Sequence, residues 1–496
     1  MIFKQFPMQQ EAMALPRILI AALRGGAGKT MLSIGITAAW RALGKQITPF
    51  KKGPDYIDAG WLGLAAGRPC HNLDTFLITP EISLQSFLNH SSQGDIAVIE
   101  GNRGLYDGID IEGSTSTAEL AKLLQVPVIL SIDCTKSTRT MAAAVLGCLR
   151  FDPDVDIKGV ILNRVAGSRH EQVLRKNIEH YCNLPILGAV PKLDQQSFPE
   201  RHMGLVPTPE HAWAQDSIDA AAQIARNYLD LDALEEIAGR AANLRSEAGS
   251  LRTEADIFAG AGSLIRSDRQ PAPGTLNREP RIGIIKDSAF QFYYPENIAA
   301  LESAGARTVF ISPLTSDTIP PLDALYIGGG FPETHAEQLS ENVKFREQLK
   351  SLAEAGLPIY AECGGLMYLG EELVLDGRSY PMAGALPVVF GFSKKPQGHG
   401  YTIVVVKEKN PYFEVGTELK GHEFHYSRVI AWRGAEKNLV FHMKRGAGLI
   451  AGKDGICYKN VLATYTHLHA LGTPAWAESM IRNAILHKNK IAGTIL

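Results

Sequence analysis

The sequence predicts two α/β domains in one chain, the first a doubly wound parallel sheet, on three observations. The 496 residues exceed what one hydrophobic core organises. Short apolar runs alternate with helical patterns through the first half. A polar stretch rich in Ser, Arg, Pro and Gly then precedes a new strand series.

The elements follow in order. Arg17–Leu23 (RILIAAL) reads as a strand buried on both faces, followed by a glycine-rich turn and a helix over Thr30–Leu43. Ile96–Glu100, Val126–Asp133 and Lys158–Asn163 are further β-rich runs. From Leu231 to Pro280 the chain is first helix-prone, then polar (RSDRQPAPGTLNREP), and reads as a linker. Arg281–Lys286, Thr308–Ser312, Ala324–Ile327 and Pro358–Ala361 predict strands of the second domain, and Val388–Phe441 alternates as antiparallel strands do. The expected boundaries are therefore 1–230, 231–280 and 281–496.

Composition narrows the class. The apolar fraction is 45%, the charged fraction 21% and the formal net charge −2, which argues against a nucleic-acid binder. No apolar run is long enough to span a bilayer, and the N-terminus shows no apolar core of a signal peptide. The six cysteines are widely spaced, with no CxxC pair, so a reducing, cytoplasmic setting is expected.

Leu23-Arg24-Gly25-Gly26-Ala27-Gly28-Lys29-Thr30 lies between the first strand and the first helix. Glycines let successive backbone N–H groups turn toward a phosphate, Lys29 would neutralise the β and γ phosphates, and the Thr30 hydroxyl would ligate Mg²⁺. Leu23 stands where the usual pattern has its first glycine, so RGGAGKT is a variant that resembles the loop of the MinD and dethiobiotin synthetase superfamily. Arg24 falls where many members of that superfamily carry a signature lysine. A second cluster, Lys51-Lys52-Gly53-Pro54-Asp55-Tyr56-Ile57-Asp58, and the strand-terminal Glu100 supply acids at the carboxyl end of a sheet, where ligands of such folds bind. Asp55 and Glu100 are the candidate Mg²⁺ ligands beside Thr30.

In the second domain the strand Pro358–Ala361 runs into Glu362-Cys363-Gly364-Gly365 and then a helical pattern, LMYLGEEL. This is the arrangement of a nucleophile elbow, with cysteine at the exposed turn and a helix N-terminus favouring its thiolate. The Gly364 N–H would donate to an oxyanion, and Gly328-Gly329-Gly330 would supply a second donor from Gly329 or Gly330. Ala463–Ala470 (ATYTHLHA) reads as a strand ending in His467 and His469, either of which would serve as base.

These segments, with NLDTFL, IEGNRGLYDG, GVILNRV, PERHMGL, DSAFQFYYPEN, GGGFPE and GHEFHYS, resemble the cobyrinic acid a,c-diamide synthase family over nearly the whole chain. The resemblance implies a P-loop synthetase domain followed by a class I glutamine amidotransferase-like domain. It implies that Cys363 and His467 hydrolyse glutamine and that ammonia passes inside the protein to the first domain. There ATP would convert the a and c acetate carboxylates of a corrinoid to acyl phosphates that ammonia displaces. ATP and L-glutamine are then co-substrates and Mg²⁺ the cofactor. Arg24 through Thr30 and Lys51 would bind nucleotide, and Asp58 and Asp107 would position substrate or the acyl phosphate. Tyr56, Arg201 and His202 are further candidates near the substrate acids. His469 stands where many class I glutaminases have an acid, leaving a Cys–His pair with no evident third member. Nickel sirohydrochlorin and hydrogenobyrinate enzymes share nearly the same motifs, and a MinD-like nucleotide switch is the alternative from another class. A homodimer is compatible with the sequence.

Overall fold

The computed structural model describes residues 15–193, 212–244 and 279–494. They fall into two compact units. The first runs to Thr75 and resumes at Thr79, and the second takes residues 279–494 together with Phe76–Ile78.

The first unit holds β1 (Arg17–Ala22), β2 (Ile47–Lys52), β3 (His71–Leu73), β4 (Ile96–Glu100), β5 (Val128–Asp133), β6 (Ile157–Val165) and β7 (Ile186–Pro191). All pair parallel in the order β3-β2-β4-β1-β5-β6-β7. The chain begins at the centre and winds outward both ways, which is the doubly wound arrangement.

Strand alternation builds two cores. Ile18, Ile20, Val98 and Ile129 face one side, while Leu19, Ala21, Ile99 and Leu130 face the other. The first side is covered by α1 (Lys29–Ala42) and α2 (Tyr56–Ala66); the second by α3 (Pro80–Ser91), α4 (Thr117–Leu123), α5 (Arg139–Phe151) and α6 (Ser168–Cys182). Helix α7 (Ala212–Tyr228) packs against α1. The stretch read as linker from Leu231 opens with α8 (Leu231–Gly239), whose Leu234 and Ala238 are buried in the first unit. The buried Arg17 donates to the carbonyls of Leu124, Leu15 and Ala242, tying the chain after α8 to β1. Burial holds its guanidinium down to about 10.

The second unit contains β8 (Arg281–Ile285), β9 (Arg307–Ile311), β10 (Ala324–Ile327) and β11 (Ile359–Glu362). Its other strands are β12 (Glu372–Leu375), β13 (Arg378–Pro381), β14 (Val388–Phe392), β15 (Gly398–Val406), β16 (Glu418–His425), β17 (Ser427–Trp432), β18 (Leu439–Arg445), β19 (Lys453–Tyr458), β20 (Val461–Thr464) and β21 (His467–Leu468). Ten strands form one mixed sheet, β21-β16-β15-β18-β19-β20-β11-β10-β8-β9, and four form a second, β13-β12-β14-β17. Strands β9, β8, β10, β11 and β20 run parallel. The expected antiparallel region is present in β15, β16 and β18.

Two local expectations are corrected. LMYLGEEL is not one helix: α9, over Gly364–Leu369, stops where Gly370 turns extended, and Glu372 begins β12. ATYTHLHA is not one strand either. Buried Asp454 accepts from the Tyr465 and Thr466 N–H groups and from both threonine hydroxyls, at 2.6–3.1 Å, bending the chain between β20 and β21.

Candidate functional site

In the first unit the loop after β1 runs through Gly26 and Gly28, both left-handed, into α1. Gly28 caps α1 at φ 85°, and a methyl group there would collide with the Asn163 amide. Ser131 Oγ and Asn163 Nδ2 hold the Ala27 carbonyl at 3.2 and 3.0 Å, so β5 and β6 fix the loop. Gly25 has open space where a side chain would be. Lys29 is buried and donates to the Arg103 carbonyl at 2.7 Å; burial lowers its ammonium, with Lys51 adding to the effect. Arg24 is 71% exposed and pairs with Asp133 at 2.9 Å.

Thr30, Lys51, Asp58 and Glu100 converge on one point. The Thr30 hydroxyl donates to Glu100 Oε1 at 2.7 Å and lies 3.4 Å from Asp58 Oδ2. Lys51 Nζ donates to Asp58 at 2.7 Å and to Glu100 at 3.0 Å. Burial opposes the Lys51 charge, but Asp58 and Glu100 together raise it above the ordinary lysine value. Burial pushes the Glu100 carboxyl up to about 7. Asp55 caps α2, its Oδ1 accepting from the Ile57 and Asp58 N–H groups at 2.9 Å; burial and then Asp58 raise it to about 6. Asp107 Oδ2 accepts from the Gly104 N–H at 2.8 Å.

The oxygens present fit a hard cation. Glu100 Oε2 is buried without a hydrogen-bond partner, which is costly unless something positive meets it. Thr30 and Asp58 stand beside it, so the acid nearest Thr30 besides Glu100 is Asp58, with Asp55 engaged as a helix cap. Arg201 and His202 lie outside the described residues.

In the second unit Cys363 sits between β11 and α9 at φ 45°, ψ −99°, a left-handed turn that a side-chain-bearing residue rarely adopts. This is the elbow read from the sequence. The thiol, however, is not poised as a thiolate. Burial pushes it well above the usual cysteine value, and Glu333 adds to that, so burial outweighs the short helix behind it. A base is needed.

His467 Nδ1 lies 3.2 Å from Glu362 Oε2, both fully buried. Glu362 Oε1 accepts from the Leu468 N–H at 3.1 Å, and the Tyr326 hydroxyl donates to Oε2 at 3.1 Å. The expected absence of an acid behind the histidine is therefore corrected: Glu362, the residue before Cys363, meets Nδ1. The signal was in the sequence, because Glu362 is a carboxylate at the end of an otherwise apolar strand. His469 faces Glu296 instead, Nε2 to Oε2 at 3.7 Å.

The glycine run is packed around this pair. A methyl on Gly329 would stand 2.5 Å from His467 Cε1, and one on Gly364 would stand 2.9 Å from Gly330 N. The Gly328 N–H is taken by the Tyr293 hydroxyl at 2.7 Å, which leaves Gly329 and Gly330 as the loop's candidate donors beside Gly364.

Residues 18–206 match the CobQ/CobB/MinD/ParA nucleotide binding domain, and residues 281–475 match the CobB/CobQ-like glutamine amidotransferase domain. A cobyrinate a,c-diamide synthase from Magnetococcus marinus is 42% identical over 94% of this chain and 97% of its own length. Proteins of the same name from Archaeoglobus fulgidus and Methanosarcina acetivorans are each 37% identical, covering 96% of this chain and 99% and 96% of theirs. With that similarity along nearly all of both chains, the protein belongs to the cobyrinate a,c-diamide synthase family.

Proposed function

We propose that the chain catalyses the ATP-dependent amidation of the a and c acetate carboxylates of cobyrinate, with glutamine as nitrogen donor, in cobalamin biosynthesis. The observation that carries this is one chain holding both a glycine cradle beside Lys29, Thr30 and Glu100 and a cysteine elbow beside a Glu362–His467 pair.

At the elbow the Cys363 sulfur attacks the side-chain amide of glutamine, and His467 takes the thiol proton. Glu362 on Nδ1 fixes the ring and stabilises the imidazolium. The N–H groups of Gly364 and of Gly329 or Gly330 receive the tetrahedral oxyanion. As the intermediate collapses, His467 protonates the nitrogen, ammonia leaves and a thioester remains. Water, deprotonated by His467, then releases glutamate.

In the other half a carboxylate of the corrinoid attacks the γ-phosphorus of ATP, because a carboxylate is a poor electrophile until its oxygen becomes a leaving group. The backbone N–H groups from Gly25 to Thr30 cradle the phosphates, Lys29 turns from the Arg103 carbonyl onto the transferring phosphoryl, and Arg24 borders the loop. Thr30 and Glu100, with Asp55 reaching in from its cap at the start of α2, would hold Mg²⁺, which would supply neutralising charge on the phosphates. Asp58 and Asp107 position the acyl phosphate, and Lys51 holds Asp58 and Glu100 in place through its two ion pairs. Ammonia attacks the acyl carbon and phosphate departs. The same cycle amidates the second acetate. A cytoplasmic homodimer is the expected form, without nucleic acid or membrane partners; among the described residues no helix is long and apolar enough to cross a membrane.

The test is Cys363→Ala. It abolishes amidation with glutamine, and added ammonium salt restores it. Normal glutamine use by the variant would remove Cys363 as nucleophile.

A further inference from the structure

Glutamine reaches a glutaminase as a zwitterion, so an anionic group must meet its α-ammonium as water is stripped away. Beside burial, the carboxylates of Glu333, Glu362 and Asp454 raise the Cys363 thiol. Two are fully engaged. Glu362 serves His467, the Leu468 N–H and Tyr326. Asp454 serves the bend between β20 and β21.

Glu333 differs. It lies in the 3-10 turn Pro332–His335, directly after the glycine run. Its neighbour Pro332 borders the elbow: a methyl on Gly364 would stand 3.1 Å from Pro332 Cδ. Glu333 Oε2 is shielded from solvent with no hydrogen-bond partner. A buried carboxylate oxygen left open costs stability, and native proteins retain such groups where a ligand completes them. Burial raises this carboxyl to about 7, so an arriving cation would favour its ionised form.

We infer that Glu333 is the anchor for the α-ammonium of glutamine, setting the enzyme's preference for glutamine over amides that lack that group. This rests on the glutaminase reading above and names the residue that selects its substrate. The ammonium sits on Glu333 while the side-chain amide lies over Cys363, so the turn that carries the glycine donors also measures the length of the substrate.

The experiment compares glutamine with 4-carbamoylbutanoate, the same molecule without the α-amino group, by steady-state ammonia release in wild type and Glu333→Gln. The wild type should favour glutamine in kcat/KM by about 100-fold, the scale of a charge-assisted contact. Glu333→Gln should raise KM for glutamine and bring its kcat/KM down to within a few-fold of the analogue's, while the analogue's own kcat/KM barely moves. Equal losses on both amides would mark Glu333 as structural or chemical and overturn the inference. So would an unchanged preference in the variant. The wild-type comparison needs no variant to fold, and equal use of both amides there also overturns it. Failure here leaves the nucleophile standing, since that is read independently by Cys363→Ala.

Discussion

The acid behind His467, Glu362, precedes the candidate nucleophile Cys363 by one residue, so one strand end carries both groups. Glu362 ends β11 and meets His467 Nδ1 at 3.2 Å, and Cys363 follows it at a φ of 45°. Glu362→Gln should therefore lower the glutaminase kcat on the order of 10²- to 10⁴-fold with little change in KM, by freeing the imidazole tautomer. An unchanged kcat in a glutaminase assay would detach Glu362 from the mechanism. In the other half Glu100→Gln should cripple amidation whether glutamine or ammonia is the donor, while glutamine is still hydrolysed; a wild-type synthetase rate would remove Glu100 from the site. Lys29, Thr30, Cys363 and His467 stand out in the sequence as candidates because each sits in a motif with a fixed backbone context, and the structure gives the turns at Gly28 and Cys363 that those motifs predict. Glu362 shows in the sequence only as a carboxylate ending an apolar strand; its partnership with His467 comes from the parallel pairing of β11 with β20, which spacing along the chain does not reveal.

Element boundaries followed the chemistry of the chain ends. The strands Ile96–Glu100 and Ala324–Ile327 were read with their observed limits because apolar runs end there at a charge or at glycine. Strand β2 escaped because Pro49 and two lysines disguise it, although Phe50 and Lys51 are fully buried. Its polar end faces the candidate site, where Lys51 pairs with Asp58 and Glu100. Helix α2 begins on Asp55, which makes that residue both a cap and a candidate ligand. Asp55→Asn should keep the cap and the melting temperature but raise the Mg²⁺ concentration needed for half-maximal amidation. Asp55→Ala should also cost about 1 kcal/mol of stability, measured by urea unfolding. An unaltered Mg²⁺ requirement in Asp55→Asn would assign the metal to Asp58 and Glu100 alone.

For the whole molecule, burying charge at the synthetase site trades stability for readiness to bind. The Glu100 carboxyl is raised from 4.5 to about 7, so the folded state holds its proton more tightly than the unfolded chain does. Its contribution to stability is complete below 4.5 and is lost as pH rises through about 7. Without ligands, Glu100→Gln should melt higher than wild type at pH 8, with the gain shrinking toward pH 5; a lower melting temperature at pH 8 would contradict the burial argument. The two-unit division was legible as a change of composition. The packing of α8 onto the first unit was not, because Leu234 and Ala238 lie among acidic residues that mask a buried face.

One nitrogen atom links the two activities, leaving glutamine and ending in the product amide. The direct measurement is mass spectrometry of cobyrinate, hydrogenobyrinate and nickel sirohydrochlorin, each offered with ATP, Mg²⁺ and glutamine carrying heavy nitrogen in its side-chain amide. Cobyrinate should be the preferred acceptor and gain two labelled amides, with ADP and phosphate formed for each. Preference for another macrocycle, or a diamide without the label, would contradict it.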